Sequence, residues 1–218
     1  VGSTFDNKNV GSNKTVTVNS ITLTDDSGLA ANYSISAGQT TTANITAKSL
    51  TVSGITASNK TYDGNAVATI TVTLSGFVGS ETLTFTNSSS FNNKNVGTGK
   101  TVTVDSIALA DGNNGGLASN YLVAPGQTTT ANITAKSLTV SGITASDKTY
   151  DGSTSATLDK SSVLYSGLVS GDTFDGTYTG VFSDVNVGTG KTVTITPSYS
   201  GADVNNYSVT DQSTTTAN

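Results

Sequence analysis

Apolar side chains alternate with polar ones along most of this chain. Leu138, Val140 and Ile143 stand among polar neighbours, with a one-residue step at Gly142. Ile70, Val72 and Leu74 interleave with Thr71, Thr73 and Ser75, and Leu83 and Phe85 with Thr82, Thr84 and Thr86. Val102 and Val104 do the same with Thr101 and Thr103. A period of two places one face of a strand in a core and the other in water. Turn signals separate these runs: Tyr62-Asp-Gly, Gly79-Ser-Glu, Asn95-Val-Gly-Thr-Gly and Ala124-Pro-Gly. No window shows a helical period, apart from room for one helical turn near residues 115–120. On this phase Val16, Val102 and Val193 belong to the buried face.

The pattern repeats. Residues 39–64 and 127–152 agree at 25 of 26 positions, at an offset of 88. A second block begins at Phe5, Phe91 and Phe182, reading FDNKNVGSNKTVTV, FNNKNVGTGKTVTV and FSDVNVGTGKTVTI. A third is the pair Asn-Tyr at 32–33, 120–121 and 206–207. Internal repetition of this length marks tandem structural units. It divides the chain into 1–46, the C-terminal part of a repeat, and the complete repeats 47–134 and 135–218. Between repeats two and three the offset grows to 91 at Ser75 and Ser166, then falls to 86 at Tyr121 and Tyr207. Such length changes belong in exposed turns. About six or seven strands per repeat fit a small β-sandwich of the Ig-like kind, with a β-grasp-like repeat as the alternative. The two complete repeats should superpose. Residues 128–141 contain no Pro, Gly or charge run, so the junction is not a flexible linker. The expectation is an elongated rod, part of a longer run of repeats.

Composition narrows the chemistry. All ten basic residues are lysine, the net charge is −5, and His, Cys, Met and Trp are absent. That excludes His-based triads, thiol nucleophiles, disulfides and His or Cys metal sites. An acidic, arginine-free surface does not suit nucleic acid. No apolar run is long enough to cross a bilayer as a helix. Charged residues are 11% of the chain, so hydroxyls and amides must hydrate its surface.

Several motifs suggest chemistry that they do not carry through. Gly97-Thr-Gly-Lys-Thr resembles the end of a phosphate loop, but Lys94 stands where the first glycine belongs. It reads as a hairpin turn. Asp111-Gly-Asn113-Asn-Gly-Gly lacks the later EF-hand ligands. A weaker calcium site would draw on Asp111, Asn113, Asp25 and Asp26, although turn-capping explains them as well. No cofactor is expected, apart from calcium at such a site. Lys60 and Lys148 precede Tyr-Asp-Gly and read as solvated, unless a buried Asn and acid meet them in a cross-link. The tyrosines of Asn-Tyr read as edge-packing residues with the hydroxyl bonded to backbone. Exposed aromatics in the divergent stretches, Phe77, Phe85, Tyr165, Phe174 and Tyr178, would mark a binding surface if they formed a patch.

The ordered blocks Ala-Lys-Ser-Leu-Thr-Val, Lys-Thr-Tyr-Asp-Gly, Asn-Val-Gly-Thr-Gly-Lys-Thr-Val and Asn-Tyr resemble the YDG-type repeat of very large bacterial surface proteins. These are the filamentous-haemagglutinin-like adhesins and biofilm proteins. The resemblance spans essentially the whole chain; Val185 departs from it, standing where the other copies have Lys8 and Lys94. It implies export to the cell surface, tandem arrays forming stalks or filaments, and no catalytic residues. The expectation is a non-enzymatic spacer whose partners are neighbouring repeats. The alternative is repeats that bind surface glycans or pair laterally with sibling chains.

Overall fold

The computed structural model describes residues 2–218, and the fold is all-β. Three short 3-10 turns interrupt the strands, at Ala30–Asn32, Ala118–Asn120 and Val204–Asn206. The second lies where the sequence left room for a helical turn.

The chain forms two compact units, and neither coincides with a sequence repeat. The first consists of Val1–Ile55, Val72–Ser88 and Val104–Gln127. The second consists of Thr56–Thr71, Ser89–Thr103 and Thr128–Asn218. Each therefore draws on two successive repeats.

In the first unit Gly2–Phe5, Gly11–Ser20 and Thr40–Ile45 form an antiparallel sheet. The short strand Lys48–Ser49 runs parallel to Tyr121–Leu122. Its core gathers Leu50, Leu74 and Tyr121, with Phe77, Leu83 and Phe85 packed against them.

In the second unit Lys136–Ser141 lies between Leu164–Ser166, antiparallel, and Tyr207–Thr210, parallel. Ser155–Ala156, Asp175–Phe182, Lys191–Ser200 and Thr214–Ala217 form a four-stranded antiparallel sheet. The core lies between these sheets: Val140 from the first meets Tyr178 and Ile195 from the second, with Ile143 beside them. A second cluster joins Phe182, Val193 and Ala217.

The period-two phase is realised here. Leu138, Val140, Ile143, Val102, Val104 and Val193 are all almost fully buried. The step at Gly142 has a physical cause. Its φ is +85°, and a Cβ there would sit 2.1 Å from the Ser162 carbonyl oxygen. Only glycine lets the strand turn over that carbonyl and return Ile143 to the core.

One valine departs from expectation, since Val16 is only half-buried. Its counterpart Val193 is covered by Ala145, Ala156 and Leu158. Among the described residues 2–46 there is no counterpart of those covering side chains.

Candidate functional site

The recurring blocks meet in two side-chain latches, one in each unit. In the first unit, the Lys8 ammonium pairs with the Glu81 carboxylate. The Tyr121 hydroxyl donates to the other Glu81 oxygen at 2.6 Å and accepts the Val78 N–H at 3.0 Å. Asn120 Oδ1 accepts the Val10 N–H at 2.8 Å, and its Nδ2 donates to Asn9 at 3.1 Å. Lys8, Asn9 and Val10 belong to repeat one; the groups they meet belong to repeat two.

The second unit has the same arrangement one repeat later. Lys94 Nζ lies 3.0 Å from Asp172 and 2.9 Å from Asp203. The Tyr207 hydroxyl donates to Asp172 Oδ2 at 2.5 Å and accepts the Val169 N–H at 3.0 Å. Asn206 Oδ1 accepts the Val96 N–H at 2.9 Å. The Tyr62 of Tyr-Asp-Gly joins here: its hydroxyl donates to Asp172 at 2.8 Å, and its ring meets Tyr207 edge-on at 5.6 Å. Gly64, with φ at +84°, lies so close to repeat three that a Cβ would sit 2.8 Å from Val169 Cγ1.

Local turns hold these groups in place. Asn7, Asn93 and Asp184 each accept the N–H two residues on, closing the turn that presents Lys8, Lys94 and Val185. Lys14, Lys100 and Lys191 brace the same three side chains. That is the role of Lys100 in the stretch resembling a phosphate loop. Lys60 and Lys148 wrap the Tyr-Asp-Gly turn. Lys60 binds the Asn65 and Val67 carbonyls and Asp63; Lys148 binds those of Ser153 and Ser155 and Asp151. Asn65 Oδ1 also accepts from Lys60, and Ser153 Oγ, at the matching place in repeat three, accepts from Lys148. Both lysines are partly covered rather than freely solvated.

The latch charges are matched. The Lys8 ammonium, then the Tyr121 hydroxyl, holds Glu81 below the ordinary carboxylate value. Burial pushes Asp172 up, but hydrogen bonds from Tyr207, Tyr62 and Lys94 outweigh it and leave it lowered. Asp203 is lowered by Lys94 and by the Thr173 N–H. Lys94 is raised by Asp203 and Asp172. Burial and then Asp172 raise Tyr62, and push Tyr207 up to about 12.

The sign of the pH dependence follows. Lowered carboxylates stabilise fully above about pH 4, their unfolded value, and lose that contribution as pH falls through the lowered folded values. The raised lysine and tyrosines stabilise fully below about pH 10 and lose it as pH rises through the raised values. The thermal unfolding midpoint of the second unit should therefore be flat from about pH 5 to 9 and fall on either side. In Asp172→Asn the acid limb should flatten, as read by scanning calorimetry across pH. An unchanged acid limb would mean that Asp172 contributes no linkage.

The other candidates lie elsewhere. Asp111 and Asp25 cap the 3-10 turns, accepting the Ala118 and Ala30 N–H at 2.7 and 2.5 Å. Asn113 closes its loop through backbone bonds to Thr82 and Gly116, and Asp26 bonds through its N–H to the Gly28 carbonyl. Among the described residues no three acidic groups are placed to hold a metal. The five aromatics form no exposed patch. Phe174 and Tyr178 are buried, while Phe77, Phe85 and Tyr165 are half-buried against core neighbours. They are the largest apolar groups in a lean core and are drawn into it.

Sequence reading found Asn-Lys-Asn-Val and Asn-Tyr but missed Glu81, Asp172 and Asp203 as their partners. The signal was present: Glu81 and Asp172 align at the same offset of 91 as Ser75 and Ser166.

The structure thus defines an all-β protein of internal repeats, in which the first is tied to the second and the second to the third by an ion pair, a tyrosine and an asparagine. The YDG domain matches residues 1–43, 46–131 and 134–216, and the chain belongs to the YDG domain family. No curated protein and no solved structure matches it.

Proposed function

We propose that this chain is a run of structural spacer repeats from an extracellular bacterial adhesin or surface filament, carrying a binding tip away from the cell. Its repeats are small β-sandwiches stacked into a stiff rod. One observation carries the reading: the recurrent polar blocks are used to fasten one repeat to the next. Lys8 and Val10 reach repeat two, and Lys94, Val96 and Tyr62 reach repeat three. In such an array stability is a sum of repeat and neighbour terms, and reach grows with repeat number.

Small-angle scattering on the chain and on versions lengthened by whole repeats tests the rod. The maximum dimension should grow by a constant step per repeat, and the chain should not bind on a glycan array. A compact profile that does not lengthen, or saturable glycan binding by these residues, would overturn the reading.

A further inference from the structure

We propose that the surface formed by Tyr150, Gly152, Val185 and Val187 is a docking site for a further YDG repeat, one with an uncharged side chain where Glu81 and Asp172 stand. The inference deepens the spacer reading and rests on it for the kind of partner.

The surface is the unoccupied counterpart of a latch described above. Tyr62 and Tyr150 lie in the block that agrees at 25 of 26 positions. Yet Tyr62 is 1% exposed and Tyr150 is 63% exposed. Gly64 lies against Val169, whereas a Cβ on Gly152 would meet nothing within 4 Å. Val96 is half-buried with its N–H on Asn206; Val187 is 86% exposed and has no such asparagine. Identical local sequence with opposite burial means that what covers Tyr62 is the neighbouring repeat.

The receiving turn is already built. The Asn186 N–H donates to Asp184 at 2.8 Å, and Lys191 braces Asp184 and the Asn186 carbonyl. Docking therefore needs little ordering of the acceptor, which favours affinity. A groove lined by Lys148, Tyr150, Phe182, Val185 and Val187 lies beside it.

The two closed latches define the occupant. In both, an asparagine followed by tyrosine serves the valine N–H, which Val187 also presents. In both, an acid enters opposite a lysine, and here the pattern changes. Val185 replaces that lysine and is 43% exposed. The nearby lysines are already engaged, Lys148 with Asp151 and Lys191 with Asp184. An acid buried against Val185 would have no cation and would be strongly disfavoured. A neutral side chain at that place still accepts from the Tyr150 hydroxyl. Val185 thus selects a different successor from the ones Lys8 and Lys94 accept.

The test extends the full chain after Asn218 with a copy of residues 45–134, in the register that Asn44 has with Ile45. The copy carries either Glu81 or Glu81→Gln, and the host carries either Val185 or Val185→Lys. Tyrosine nitration at Tyr150 and hydrogen exchange over residues 184–188 are read by mass spectrometry. With Val185, the Glu81→Gln copy should slow Tyr150 nitration about tenfold more than the Glu81 copy, since an unpaired buried charge is worth at least that factor. With Val185→Lys the order should reverse, because the Lys8–Glu81 pair is rebuilt; this arm also shows that the copy folds. No protection in any of the four fusions overturns the docking site. Equal protection by both copies overturns the selection by charge. Protection of the unextended chain that rises with its concentration would assign the site to a second copy of this chain instead. A failed docking test leaves the scattering result on reach standing, so the two failures are distinguishable.

Discussion

Tyr62→Ala should lower the unfolding free energy of the second unit by about 3–5 kcal/mol, as for other buried aromatics cut to Ala. The ring is almost wholly buried, packs edge-on against Tyr207, and its hydroxyl supplies one of three donors to Asp172. Tyr62→Phe keeps the ring and removes one donor, so about 1 kcal/mol should be lost. Tyr150→Ala, the same change in the same block one repeat later, should stay within about 0.5 kcal/mol, because that ring is exposed. Denaturant unfolding with hydrogen exchange at Ile133 and Val102 would measure all three. Equal losses at Tyr62 and Tyr150 would show that the tyrosine stabilises its own turn rather than the contact with the next repeat.

Gly142→Ala should be nearly as damaging, at about 2–5 kcal/mol. Two costs add. A left-handed backbone at φ +85° penalises any Cβ by about 1–2 kcal/mol. The new methyl would also sit 2.1 Å from the Ser162 carbonyl oxygen, and forcing that contact apart adds about 1–3 kcal/mol. Gly190→Ala separates the two, since its φ is +61° and nothing lies within 4 Å of its Cβ position. It should lose only the backbone part. If both variants melt together, the close approach at Ser162 is soft and the step after Val140 is set by the turn alone.

The strand faces were legible because burial along a strand follows a local rule. Leu138, Val140, Val102, Val104 and Val193 need only alternation, and Gly142 announces its own exception. Val16 obeys the same alternation yet stays half open, because burial also needs a covering layer and no periodicity supplies one. The latches divide in the same way. Asn-Lys-Asn-Val and Asn-Tyr stand out as blocks, since each is contiguous. Their acids do not, because Glu81 and Asp172 are single residues in divergent loops whose role exists only when a distant turn folds against them. The five aromatics, too, lie in variable stretches that resemble a binding face by sequence; their burial depends on which sheet closes over them. Unit boundaries were the least visible feature, because a repeat in sequence and a compact body in space are set by different contacts.

The bonds from Val10 to Asn120, Tyr62 to Asp172 and Val96 to Asn206 each join residues 110 positions apart. That separation sets a clock for folding. Ribosomes add about 5–20 residues per second. A Tyr-Asp-Gly turn therefore leaves the ribosome about 5–20 seconds before its acid partner exists, and longer before the partner strand has paired. During that interval the tyrosine ring and the valine N–H stay solvated, and the chain behind them is held only by its own hairpins. Long-range closure of this kind is slow, and here it proceeds in one direction, each latch closing on the repeat made after it. A chain cut anywhere within the next 110 residues keeps its last turn open, so proteases and chaperones that read exposed apolar edges would find an unfinished molecule at that end.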